Sequence, residues 1–282
     1  MGRTDAVVLD IDDLRPYHPD YSTHARNDDL TAAARVHPDA ARWLDWCIAH
    51  VAEHGIDTVV SATFSKPSAA EWMVRQFPRP KFGVEVAGVA VDRNLSELGV
   101  LARYQDQRDR DGYGRYVPPD VRNRAYTGVL DAADHLEQHR LVGAVHVYDR
   151  DGQCLHTNRL VNGQWTAGRP SRQAIETERA RPWTESEAKA FRTTAASLRT
   201  RLADELRPQL ATITGGDRNL ASLRIPAATP DAPEREFAEA PSSVSVNHPT
   251  PPSVPKIGTE SMAQAAQVIT EVERLMSVGV SA

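Results

Sequence analysis

The chain has 282 residues, of which 40% are hydrophobic and 25% are charged, so it is long enough to bury a sizeable core. Its net charge of −5 excludes nucleic-acid binding that depends on overall basicity, and two cysteines are too few for a disulfide framework. No apolar stretch approaches the ~20 residues of a membrane span. We therefore expect a cytoplasmic protein that has neither a nucleic-acid nor a membrane partner.

A short apolar run near the amino terminus, Ala6 to Leu9, predicts a strand buried on both faces, as in a parallel sheet. Asp10, Asp12 and Asp13 follow it, and ligands of open α/β sheets gather beyond the carboxyl ends of the strands. A carboxylate at this place can accept a proton from a substrate hydroxyl. The alternative is a turn in which these side chains cap backbone donors. Two nearby prolines predict an extended exit rather than an immediate helix.

Strands and helices alternate along the rest of the first half, as expected for an α/β fold with a mainly parallel sheet. The predicted elements are a helix over Trp43 to Val51 that ends before Gly55, a strand over Thr58 to Thr63, a helix from Pro67, a strand over Phe82 to Val91, and a helix opening at Asn94 with Glu97 as its capping partner.

The second half continues the alternation. The sequence predicts a helix from Pro118–Pro119 to Leu136, a strand over Leu141 to Tyr148, a hairpin turn at Asp151–Gly152 leading to Cys154, a charged helix over Arg169 to Arg181, and a helix capped by Thr184 and Glu187.

A change in composition beyond Pro208 predicts a domain boundary. Residues 1–208 form the predicted catalytic-type domain, residues 209–255 a linker, and residues 256–282 a short amphipathic helix. Within the linker, Pro226 to Pro255 is dense in Pro, Ala and Ser and has little to bury, so we expect it to be mobile.

A set of motifs occurs along the chain in a fixed order and spacing: Leu9 to Arg15, Tyr17 to Tyr21, Gly99 to Tyr104, Gly112 to Arg115, Pro118 to Tyr126, Val147 to Gly152 and Arg179 to Glu185. Together these motifs resemble the zeta toxins, which are P-loop kinases that phosphorylate UDP-N-acetylglucosamine. The resemblance covers roughly residues 5–206 and implies the P-loop kinase fold, with ATP and Mg²⁺ as cofactors and a small helical antitoxin as a partner.

The resemblance also implies roles for particular residues. Asp12 matches the family's general base, and Arg103 and Arg115 match two arginines that hold the nucleotide phosphates. Guanidinium groups suit the charge that phosphoryl transfer spreads over oxygen atoms. The alternative for the arginines is a pair of solvated side chains in an Arg-rich segment that also contains Arg108 and Arg110.

Substrate contacts follow from the same resemblance, with one departure. Arg15, His18, Ser61 and Thr63 fall at substrate-binding positions, but Ser61 stands where the family usually has Glu. Because Ser cannot replace a carboxylate that binds a hydroxyl, another nucleotide sugar is an open alternative. His18 could instead simply pack its loop against the sheet.

A metal site is not expected in this sequence. His135 and His139 have the i, i+4 spacing of a metal-binding pair, but no third ligand lies within reach along the sequence.

The sequence lacks the motif on which a P-loop kinase depends. None of its four lysines, Lys66, Lys81, Lys189 and Lys256, follows a glycine, so there is no G-x-x-x-x-G-K-[ST] loop to cradle phosphates. In the zeta toxins this loop and its strand lie upstream of the strand that opens this chain. We therefore expect the chain as written not to bind ATP and to be unstable as an independent kinase, with the true reading frame beginning farther upstream.

Three interpretations remain open at this point. The first is a zeta-type kinase whose sequence lacks its start. The second is a catalytically dead protein that sequesters an antitoxin or a nucleotide sugar. The third is the inert product of a truncated gene.

Overall fold

The computed structural model describes residues 6–78 and 81–215 and has an α/β fold, as the sequence predicts. The strands are β1 (Val7–Leu9), β2 (Thr58–Val60), β3 (Glu85–Val89), β4 (Ala144–Tyr148), β5 (Cys154–Val161) and β6 (Gln164–Trp165). The helices are α1 (Ile11–Leu14), α2 (Tyr21–Asn27), α3 (Asp29–Arg35), α4 (His37–His54), α5 (Pro67–Arg75), α6 (Arg93–Asp111), α7 (Pro119–Gln138), α8 (Ser171–Ala180), α9 (Glu185–Arg201) and α10 (Arg207–Ile213).

The first four strands pair in parallel, β1 with β2 and β3 with β4, and the hairpin strands β5 and β6 continue the second sheet in antiparallel order. In the first sheet Val8 lies opposite Val59, and both side chains are more than half exposed, so the prediction that the first strand is buried on both faces is wrong. No backbone ladder joins β2 to β3 within the described residues. The protein therefore has two parallel pairs of strands side by side.

Helix α5 packs against both sheets. Its Met73, with Phe77 just beyond its end, packs with the apolar residues of β1, β2 and α4, whereas Ala70 and Val74 pack with Val145 of β4. The two faces of one short helix thus join the apolar cores beneath the two sheets.

The segments that flank β2 and β3 are attached to helices α4 and α7. Before the strands begin, the Lys81 ammonium donates to the Ala52 carbonyl at the end of α4. After they end, the Tyr126 hydroxyl donates to the Val91 carbonyl over 3.1 Å, and Gly128 packs so closely on the backbone of Ser65 that a Cβ would overlap it. Helix α7 therefore fixes the positions of the segments that follow both strands.

A separate apolar cluster joins α6, α9 and α10. Leu98 and Leu101 of α6 pack against Phe191 and Leu198 of α9, and Leu210 of α10 joins the same cluster. Helix α10 runs across residue 208, where the composition changes. Residues 216–255 of the predicted linker and the predicted helix of residues 256–282 lie outside the described residues.

Two predictions about where helices begin were wrong. An immediate helix, α1, follows β1 because the Asp10 carboxylate accepts the Asp12 N–H over 2.9 Å and caps it, and Pro16 is accommodated in the first turn of the 3₁₀ helix that follows. Helix α6 is capped by Asp92, which accepts the N–H groups of Asn94 and Leu95, so Asn94 itself lies inside the helix. In both cases an aspartate provides the cap, and at α6 this aspartate lies two residues before the predicted start.

Helix α9 begins with the predicted capping box. The Thr184 hydroxyl accepts the Glu187 N–H, and the Glu187 carboxylate accepts the Thr184 N–H and the guanidinium of Arg181. The Arg181 hydrogen bond is the largest cause that lowers the pKa of Glu187, to about 2. None of the helices in the described part is long and apolar enough to span a bilayer.

We expect Glu187→Gln to lower the free energy of unfolding at pH 7 by about 1 kcal/mol, because it removes a cap and a partly exposed ion pair. Since the folded-state pKa is depressed, this stabilisation is present above the ordinary glutamate pKa and is lost as the pH falls towards 2. Urea unfolding between pH 7 and 3 should therefore show a shallower acid loss for the variant. Glu185→Gln, in the same helical turn, is the control, and equal pH slopes in the two variants would contradict the role of Glu187.

Candidate functional site

The carboxylate of Asp12 lies at the carboxyl end of β1, on the first turn of α1. Asp10 makes the backbone cap at this turn, so the capping alternative applies to Asp10 and leaves the Asp12 side chain for other contacts. Each oxygen of Asp12 has a guanidinium partner: Arg15 Nε lies 3.0 Å from Oδ1, and Arg115 Nη2 lies 2.7 Å from Oδ2. The structure thus brings together the predicted base and two of the predicted arginines.

Arg15 is buried and held on the side away from Asp12 as well. Its Nη1 donates to the Ala33 carbonyl over 2.5 Å, and its Nη2 lies 3.4 Å from Nδ1 of His37. Burial, followed by the charge of Arg15, lowers the pKa of His37, which favours the neutral imidazole that can accept from a guanidinium. The predicted substrate-binding residue Arg15 therefore has its donors directed at the protein.

Arg115 reaches Asp12 from the segment that follows α6. The helix ends at Gly112, whose φ of +83° suits glycine, and the Arg115 N–H donates to the side chain of Gln107. Between them, the Gly114 N–H donates to the carboxylate of Asp29 over 2.9 Å. These bonds fix the backbone from which the Arg115 side chain extends.

Asp29 anchors this segment to α6 and α3. Besides Gly114, it accepts the hydroxyl of the fully buried Tyr104 over 2.9 Å, and Arg108 lies 3.8 Å away. Burial, together with the Asp29 hydrogen bond, strongly raises the pKa of Tyr104, so its hydroxyl stays a donor. The position of Arg115 is thus set by a carboxylate on α3.

The electrostatic surroundings of Arg115 are crowded with positive charge. Burial is the largest influence and lowers the pKa of Arg115; Arg103 and Arg15 lower it further, and Asp12 raises it. Arg103 is exposed on α6 and has no ion-pair partner shown among the described residues. Arg15 and Arg115 share the carboxylate of Asp12, and Arg103 adds a further positive charge nearby, so an anion would be stabilised here.

Gln107 of α6 lines two cavities. The smaller, of about 580 Å³, contains Asp12, Asp13 and Arg115. The larger, of about 760 Å³, lies beyond the carboxyl ends of β3 and β4 and contains Arg103. Its walls also include Ala90, Leu95, Leu98, Arg110, Arg150, Trp183 and Phe191. A volume of that size admits a molecule as large as a nucleotide.

The other predicted substrate residues lie apart from this carboxylate. His18 stacks on Trp43 at 5.9 Å, with Nε2 at 3.4 Å from an Asp39 oxygen, so it packs its loop against α4. Ser61 follows β2 beside the end of β1, where its N–H donates to the Leu9 carbonyl, and both it and Thr63 are exposed. Neither of the latter two lines the Asp12 cavity.

The His135–His139 pair has a structural environment of its own. The two ring centroids lie 4.4 Å apart with the rings tilted by 51°, and His135 Nε2 lies 2.6 Å from a carboxylate oxygen of Glu71 on α5. Within the described residues, no group of three or more His, Cys, Asp or Glu side chains is placed to hold a metal ion.

Several site residues could not be identified from the sequence. Gln107 carries no motif signal, and Asp29 acts on partners 75 and 85 residues away. Tyr21 and Tyr113 line the Asp12 cavity and stand within the matching stretches, so the motifs contained the only available signal for them. Burial raises the pKa of Tyr21, which keeps this hydroxyl protonated beside the carboxylate.

Comparison with known proteins relates this chain to one family and to solved structures of similar fold. The family model described as zeta toxin matches residues 1–161. A chain solved in a molecular and structural characterisation of the PezAT chromosomal toxin–antitoxin system of Streptococcus pneumoniae is similar in fold, with a TM-score of 0.56 and 15% identity over 69% of this chain and 74% of that chain. No curated protein matches the sequence.

We expect Gly114→Ala to lower the free energy of unfolding by about 1–3 kcal/mol, because the new Cβ would overlap the carbonyl oxygen and ring of Tyr104. Urea unfolding measures the change. Gly168→Ala is the matched control, since a Cβ there meets nothing within 4 Å. If the two variants unfold at the same urea concentration, the packing of the Arg115 segment on Tyr104 is not tight.

Proposed function

This chain belongs to the zeta toxin family, and we propose that it carries the acceptor side of an ATP-dependent phosphotransferase acting on UDP-N-acetylglucosamine or a similar nucleotide sugar. The observation that carries the proposal is the Asp12 carboxylate at the end of β1, paired with Arg115 in the smaller cavity. A base fixed on a strand end can orient a hydroxyl without moving.

The proposed chemistry uses the two cavities for two substrates. The acceptor hydroxyl lies in the smaller cavity, where its proton passes to Asp12 as its oxygen bonds to the γ-phosphorus and the bond to ADP breaks. The phosphates lie towards Arg103 and Arg115, whose charge offsets that of the transferring group. ATP supplies the phosphoryl group. Mg²⁺, which binds nucleotide phosphates with only one or two protein carboxylates, would offset part of the phosphate charge when bound.

We further propose that the 282-residue chain binds its acceptor but transfers no phosphoryl group. The 282 residues contain no G-x-x-x-x-G-K-[ST] loop, and the arginines alone lack the backbone N–H cradle that this loop provides.

A second candidate is a protein that acts by binding an antitoxin. It is favoured by the similarity in fold to a chain from a toxin–antitoxin system together with the absent phosphate loop. An antitoxin-binding protein need not recognise a nucleotide sugar, so acceptor binding separates the two candidates.

We expect UDP-N-acetylglucosamine to bind the wild-type chain in calorimetry, and labelled ATP to give no phosphorylated sugar above background. Glucose and UDP-glucose serve as comparison ligands, since Ser61 leaves the identity of the sugar open. Absence of binding by any nucleotide sugar would contradict the acceptor site and favour the second candidate. Labelled product from the wild-type chain would contradict its inactivity.

In any form of this protein that carries a phosphate loop, we expect Asp12→Asn to lower kcat by ~10²–10⁴-fold without raising KM for ATP, because the amide cannot take the hydroxyl proton. Asp13→Asn, in the same cavity, is the control. Undiminished turnover by the Asp12 variant would remove this residue from the role of base.

A further inference from the structure

The two arginines on Asp12 are held very differently. Arg15 has three attachments, to Asp12, to the Ala33 carbonyl and to His37, and only 6% of it is exposed. Moving its guanidinium would leave a buried carbonyl and a buried cation without partners, which is costly. Arg15 is therefore a fixed part of the protein's interior.

Arg115 is attached far more weakly through its side chain. Among residues 6–78 and 81–215, Asp12 is its single ion-pair partner. Its backbone is fixed by Gln107 and, one residue earlier, by Asp29, so the guanidinium can turn while its Cα stays in place. The nearby Arg103 and Arg15 are also positively charged and repel the Arg115 guanidinium. An anion between Arg103 and Arg115 would relieve this repulsion.

The pairing with Arg115 has a consequence for proton transfer. The bond of 2.7 Å to Oδ2 uses the oxygen that is not already held by Arg15. An acceptor hydroxyl that approaches Asp12 must therefore compete with a charged donor for that oxygen.

We propose that Arg15 is a positioning residue that permanently holds Oδ1 of Asp12, whereas Arg115 exchanges partners, leaving Oδ2 for a phosphate bound between Arg103 and Arg115. Phosphate binding then exposes Oδ2 to the acceptor hydroxyl, so the base becomes available only when the phosphates are in place. This inference rests on the proposed function and adds a coupling between its two cavities.

Pyrophosphate binding, measured by calorimetry at constant ionic strength, tests the exchange. Because Asp12 competes with the anion for Arg115, Asp12→Asn should bind pyrophosphate about fivefold more tightly than the wild-type chain. Asp13→Asn removes the same charge from the same cavity but breaks no ion pair, so it should tighten binding less than about twofold. Arg115→Ala should weaken binding.

A spectroscopic measurement keeps the test decisive if Asp12→Asn unfolds. In ¹⁵N spectra of arginine Nε groups, assigned with Arg15→Lys and Arg115→Lys, saturating pyrophosphate should shift the Arg115 signal and leave the Arg15 signal unchanged. A shifted Arg15 signal or an unchanged Arg115 signal would overturn the proposal.

The outcomes separate this inference from the proposed function. Equal tightening in the Asp12 and Asp13 variants overturns the exchange but leaves the acceptor site intact. No pyrophosphate binding by any variant overturns the exchange and the phosphate role of Arg103 and Arg115 together. Loss of nucleotide-sugar binding, measured separately, is what contradicts the proposed function.

Discussion

The arrangement of the candidate site depends on the carboxylate of Asp29. It is the group that ties the segment after α6 to α3, through the Gly114 N–H and the Tyr104 hydroxyl, both at 2.9 Å. Residues on α3 and α4 also hold Arg15 from the other side. The guanidinium of Arg15 and the backbone from which Arg115 extends are thus both attached to one small group of helices, α3, α4 and α6.

Much of the fold could be predicted from the sequence because its helices carry local signals. Examples are the apolar spacing of α4 with Gly55 at φ +71°, the proline at the start of α7 and the capping box of α9. Each of these signals is contained within a short stretch of its own helix or the residues next to it. The wrong predictions were also local. Asp10 caps α1, where the prolines led us to expect no immediate helix, and Asp92 caps α6, where we expected the helix to start at Asn94. A cap is chosen by geometry among several nearby acceptors, and sequence alone does not rank them.

The site was predictable only in part, because its decisive contacts join distant segments. Asp12 and Arg115 could be singled out by their place in motifs, but their ion pair joins residues that are 103 positions apart in the sequence. The burial of Arg15, the packing of His18 on Trp43 and the anchoring by Asp29 are tertiary facts. Residue type and spacing indicated which chemistry was present, whereas the direction of each side chain required the fold.

Gln107 lines both cavities, which has a consequence for inhibitor chemistry. A single compound that joins a sugar-like group to an aromatic base through an anionic linker could occupy both cavities, with its linker passing along α6. Joining the two fragments would raise affinity by effective concentration only if the linker matches that span. Gln107, which presents a neutral amide between charged neighbours, is the residue around which such a linker would have to be shaped.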